Sequence, residues 1–215
     1  EVRFSNKLVN VKTDNGEICG AVVESDSGEY VIETNNIVLA IGHSARDTFL
    51  MLQNRNIAME QKSFSVGARI EHSQEMINKS QYGKAYKKLP AADYKMAVHL
   101  ESGRGVYTFC MCPGGRVVAS ASEDGGVVTN GMSYFARDGK NANSALLVNV
   151  TPSDFKTDDP LAGMYFQREL EHKAFVAGGE NFNAPVQRVC DFIENKASTK
   201  IGDVKPSVGP DFKIG

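Results

Sequence analysis

Residues 64–72 read FSVGARIEH, and Phe64, Val66, Ala68 and Ile70 occupy every second position. Successive side chains of an extended chain point to opposite faces, so these four share one side of a strand. Downstream, DYKMAVHL, GVYTFCM, GRVVASAS, GVVTNGM and SALLVNVT repeat the extended pattern at short spacing, with glycine turns such as ESGRG and EDGG between several of them. SQEMIN reads as a short inserted helix. The spacing predicts an α+β fold built on a mostly antiparallel sheet or distorted barrel.

Two helices are predicted to close the chain. Asp159-Pro160 offers an N-cap and a first-turn proline, Ala162, Phe166, Leu170 and Ala174 form an i, i+4 row, and Gly178-Gly179 gives a stop. In the second, opened by Pro185, Val186, Val189, Cys190 and Ile193 share a face, which makes Cys190 a core residue. After Asn195 the stretch KASTKIGDVKPSVGPDFKIG has no period and several breakers, as expected of a loop or the edge of a further domain.

Toward the N-terminus, KLVNV, ICGAVVE and YVIE are separated by DNG and DSGE, a three-stranded meander. IVLAI (37–41) is continuously apolar and too short for a helix, the pattern of a strand covered on both faces. It runs into Gly42 and then Ser44 with Asp47 three residues on, a capping-box spacing, so a strand, a glycine turn and a helix start are expected. The chain divides into 1–60, 61–196 and 197–215 on these patterns. It opens with Glu1 rather than Met, which suggests processing or a piece of a longer chain.

The 215 residues are 41% hydrophobic, enough for a real core, and 24 basic side chains stand against 26 acidic ones. Such a balance creates no field to recruit nucleic acid or an anionic membrane. No apolar run approaches the roughly 18 residues of a membrane span. Four cysteines in a chain this size do not make a disulfide scaffold, and free thiols in a reducing cytoplasm are expected.

Several stretches could carry chemistry. FCMCPGG (109–115) places Cys110 and Cys112 on one face if the strand is regular, too close in sequence for an unstrained disulfide. Zinc would need distant ligands such as His72, His43 or Cys19. Gly114 and Gly115 could adopt positive φ and present amides to an anion or carbonyl oxygen. TNGMSYFARDGKNANSA (129–145) crowds Asn130, Ser133, Arg137, Asp138, Asn141 and Asn143 into a solvated loop or a hydrogen-bonding site, with the loop favoured on composition. Arg69, Glu71 and His72 could supply an acid or base. No G-x-S-x-G, H-E-x-x-H, G-x-x-x-x-G-K-[ST] or G-x-G-x-x-G occurs.

Taken in order, IVLAIGHSARDTF, KSFSVGARIEHSQEMIN, LPAADYKM, GRGVYTFCMCPGG, TNGMSYFARDGKNANSALLV and FNAPVQRVCDF resemble the bacterial FAD-dependent dehydrogenases, also called NAD(FAD)-utilizing dehydrogenases. The resemblance spans about residue 37 to residue 193. It implies a flavoprotein of the two-dinucleotide-binding-fold type, with 1–60 as part of its FAD-binding domain, 61–196 as an inserted substrate domain and 197–215 as a linker. The dinucleotide-binding G-x-G-x-x-G would lie on polypeptide upstream of Glu1, and the piece alone would be inactive and retain little FAD.

By the same resemblance Ala40, Ile41 and Gly42 line the FAD site, with Ile41 in place of the usual Thr, followed by His43 and Ser44. Cys110, Cys112 and Arg137 become redox or acid-base candidates, Gly114 and Gly115 a donor pair, and Asn130, Ser133 and Asn141 substrate contacts. The implied activity moves a hydride or electrons between flavin and a small-molecule substrate or acceptor, with NAD(P)H as a donor option. The rivals are a noncatalytic binding module on a flavoprotein scaffold and a zinc-supported structural domain.

Overall fold

The computed structural model describes residues 1–208 and 212–215. They form an α+β chain of mostly antiparallel, open sheets with four α-helices among the described residues. It divides into two compact units, one of Glu1–Gln61 with Thr157–Met164, the other of Lys62–Lys156 with Tyr165–Gly215.

In the first unit β1 (Asn6–Asp14), β2 (Glu17–Ser25) and β3 (Gly28–Glu33) make the meander. Asn15 and Gly16 both take positive φ, 48° and 85°, as the tight β1–β2 hairpin demands. Val11 pairs with Ala21 across the ladder, and both are buried along with Val23. Helix α1 (Arg46–Asn54) packs against β1 and buries Leu52.

Two expectations fail here. Residues 37–41 form no strand: a fully covered strand needs ladder partners on both sides, and none of the described strands pairs with it. From residue 38 to 41 its side chains lie open, Val38 at 92% exposure. The capping box is not made either. The N-cap is Ala45, without a side-chain cap, and the Asp47 carboxylate instead accepts from the Thr48 amide and pairs with Lys7 at 2.6 Å.

The second unit is organised by a four-stranded antiparallel sheet made of β4 (Phe64–Ser73), β5 (Ala97–His99), β6 (Gly105–Cys112) and β9 (Asn141–Val150), in the order β4-β9-β6-β5. The sheet is open, so the barrel alternative is set aside. Between its strands lie α2 (Gln74–Tyr82) and the hairpin of β7 (Gly115–Ala119) with β8 (Thr129–Ser133). β4 and β9 pair without a slip from Phe64↔Val150 to Ser73↔Asn141, which fixes both faces. Phe64, Val66, Ala68, Ile70 and His72 share one face, and Phe64 stacks on Phe155 and meets Phe166 of α3 (Ala162–Gly178).

Ladder register between β6 and β9 breaks between Phe109 and Cys112, where Cys110 takes φ 46°. This bulge overturns the shared face expected of the cysteines: Cys110 is exposed and Cys112 is buried. All four cysteines are free thiols.

The C-terminal expectations also need correction. Ala184–Val186 is a strand, β10, pairing in parallel with β11 (Phe212–Ile214), so α4 (Val189–Ile193) shrinks to a single turn and leaves Cys190 and Ile193 exposed. The apparent loop 197–215 therefore contains a strand, although 209–211 lie outside the described residues. Pairing to β10 and packing give it order that no local periodicity announces: Val117, Ala184 and Val208 form a small core with Phe212 against it.

Candidate functional site

Glu71, Arg69 and Asn143 alternate on one face of the β4–β9 ladder, where β8 approaches them through Gly131. A Cβ at Gly131 would overlap both the Asn143 carboxamide oxygen and the Arg69 guanidinium. Absence of a side chain there is what lets the pair fit under β8.

Arg69 is held by neutral oxygens. Its Nη1 donates to Asn143 Oδ1 at 2.6 Å and to the Cys110 carbonyl at 3.3 Å, and Nη2 reaches Asn130 Oδ1 at 3.5 Å. The bulge thus has a structural purpose. It turns the Cys110 carbonyl toward both the guanidinium and the buried Cys112 thiol, which donates to it at 3.3 Å, and leaves the Cys110 thiol outside. Asn143 is fully buried, and its Nδ2 has no partner among the described residues.

Glu71 lies next to Arg69 on this face and does not pair with it. Its carboxylate accepts from Asn141 Nδ2 at 2.8 Å and from the Ser207 amide at 3.0 Å. Asn141 also donates to the Lys205 carbonyl, so it ties the C-terminal segment to the sheet.

The opposite face carries a second polar group. His72 Nε2 lies 2.7 Å from Tyr94 Oη, and His72 Nδ1 is buried with no partner among the described residues. Burial holds the imidazole below its ordinary value, so it is neutral near pH 7. Burial likewise pushes the Tyr94 phenol up, while the Ser144 hydroxyl and the Arg69 charge pull it down.

The remaining sequence candidates separate. Gly114, at φ 53°, sits where a Cβ would overlap the Arg137 carbonyl, and its amide donates to Gln74 Oε1 at 2.6 Å, so this amide is already engaged. Gly115 is buried against Met132 and Cys112. Ser133 donates to the Pro113 carbonyl at 2.7 Å. Arg137 occupies an exposed turn at φ 50°. The favoured solvated loop at 129–145 is instead two strands and a turn, because Asn143 and Ser144 find ladder partners and are wholly buried.

In the first unit, residues 40–44 are all exposed, Gly42 takes φ 70°, and nothing lies within 4 Å of where its Cβ would be. Among the described residues no three His, Cys, Asp or Glu side chains gather as metal ligands, and no helix is long and apolar enough to cross a membrane.

Sequence reading missed Tyr94 as a functional candidate, since its partner His72 is 22 positions away and no local pattern marks the pair. Asn143 was visible as an expensive polar residue, but its burial depends on the β4–β9 register.

The family model described as FAD-dependent protein, C-terminal domain-like, matches residues 63–215. A protein of Clostridium beijerinckii described as an uncharacterized protein is 52% identical over 210 residues, which cover 96% of this chain and 39% of that relative. The chain thus spans about two fifths of the length of the relative it matches.

Proposed function

We propose that this chain, which belongs to the FAD-dependent protein C-terminal domain-like family, contributes the substrate domain and part of the FAD-binding domain to a larger oxidoreductase. The family match across residues 63–215 carries this reading. The full protein would pass a hydride or electrons between flavin and a small molecule, with NAD(P)H as an electron donor option. FAD, when bound, supplies the two-electron chemistry; the protein supplies binding, orientation and electrostatics.

The residues of the first unit fit one edge of such a site. At Gly42 a positive φ and open space allow close approach to the backbone. Helix α1 follows without a side-chain N-cap, but its Thr48 amide is taken by the Asp47 carboxylate and its Arg46 amide by the Ser44 carbonyl, so the open backbone at Gly42 is the better contact for a cofactor. Ala40, Ile41, His43 and Ser44 are exposed beside it. Upstream polypeptide would supply the pyrophosphate loop, and the 215-residue chain alone is expected to retain little FAD.

In the second unit the exposed Cys110 thiol is the redox or acid-base candidate best placed to meet a substrate, and Cys112 acts from beneath by holding the Cys110 carbonyl. Asn130 is exposed at the rim and is the leading substrate contact of the three amide and hydroxyl candidates. Ser133 and Asn141 spend their donors inside the protein and would position neighbours. Arg137, exposed, remains available to a substrate, and Gly115 contributes shape.

Replacing Cys110 and Cys112 by serine in the full-length protein tests these roles. Slower turnover and flavin reoxidation with flavin content unchanged is the expected result. Unchanged rates would remove both thiols from the mechanism.

A further inference from the structure

We infer that Arg69 is a carboxylate-binding residue, and that the ligand of the second unit carries a planar carboxylate seated on the open edge of its guanidinium. A guanidinium has five N–H donors. Both hydrogens of Nη1 go to protein oxygens, on Asn143 and Cys110. Among the described residues the adjoining edge, formed by Nε–H and Nη2–H, meets only Asn130 Oδ1 at 3.5 Å, the limit of a hydrogen bond. That edge is the two-donor fork that matches a carboxylate.

Charge points the same way. Among the described residues no carboxylate lies within ion-pair distance of Arg69, since Glu71 on the same face is turned to Asn141 and Ser207. A half-buried cation held by neutral oxygens keeps its full charge for a ligand. Beside it, the wholly buried Asn143 amide has one end on Arg69 and its Nδ2 unpartnered among the described residues. The assignment of that amide is settled by its partner: only the oxygen can accept from Nη1. The unspent guanidinium edge makes a site short of acceptors, and an anion supplies them.

Calling the ligand a substrate rests on the flavoenzyme reading; the anion site itself does not. The test is therefore a titration of full-length protein, with flavin present and after its removal, using benzoate, benzamide and inorganic phosphate. The Arg69 Nε–Hε signal is followed by NMR. Benzoate is expected to move it saturably in both forms of the protein, benzamide to leave it still, and phosphate to bind at least tenfold more weakly. Arg69→Gln and Arg69→Lys should each weaken benzoate binding at least tenfold, because lysine presents no fork. Gly131→Ala should weaken it too by pushing the guanidinium aside, with circular dichroism confirming the fold of each variant. No saturable shift in the wild type, equal response to benzamide or phosphate, or undiminished binding by Arg69→Gln would overturn the inference. Failure of the full-length protein to bind FAD at all, with the benzoate response intact, would sink the flavoenzyme reading alone.

Discussion

Cys110 and Cys112 are two residues apart and chemically opposite in circumstance, because one bulge residue at positive φ turns one thiol outward and leaves the other beneath. Alkylation of the native protein followed by mass mapping should label Cys110, with Cys19 and Cys190, and leave Cys112 unmodified until unfolding. Equal labelling of Cys110 and Cys112 would mean that the strand is regular. His72 gives a second residue-level expectation. Burial keeps its folded-state value below the unfolded value of about 6.5. The unfolded chain therefore binds more protons as pH falls through that value, so His72 favours folding above it and costs stability progressively below it. The melting-temperature advantage of wild type over His72→Gln should shrink between about pH 7.5 and pH 5.5. A constant gap would show that the imidazole is not held neutral.

At the scale of elements, the C-terminal strand is the sharpest case of order without a local signal. Phe212 packs on Val117, Ala184 and Val208, and β10 and β11 pair in parallel. Phe212→Ala should destabilise the chain by about 1–3 kcal/mol, below the range for a wholly buried phenylalanine since Phe212 is only partly buried. Urea unfolding measures it, and no loss would mean that β11 does not contribute to the fold.

The alternation of Phe64, Val66, Ala68 and Ile70 was readable because a half-covered antiparallel strand writes its faces into its own sequence. The three-stranded meander was readable for the same reason, aided by Asn15-Gly16. A β10–β11 pair only three residues long writes no such pattern, and its partners are more than 20 residues apart. The bulge at Cys110 was hidden because it is a property of two strands, seen only when Phe109 and Cys112 are matched to β9. IVLAI failed in the other direction. Its apolar run is real, but a strand also needs neighbours to bond, and the described strands supply none.

For the whole molecule, the exposed run 38–41 and the open Gly42 turn belong to a chain that spans about two fifths of its Clostridium beijerinckii relative. Burying Val38, Leu39 and Ile41 would each remove apolar surface from water, at about 25 cal/mol per Å², so this segment is suited to packing against further polypeptide. The candidate site had a split legibility. Cys110, Asn130 and Asn143 stood out as residue types, whereas Arg69 gained weight only when two oxygens were found on its Nη1 and a single one, at 3.5 Å, on the opposite edge. The account stands or falls on flavin. Full-length protein, purified and then incubated with FAD, should show flavin absorbance bands that bleach on reduction and release about one FAD per polypeptide on denaturation. A colourless protein that takes up no FAD would contradict it.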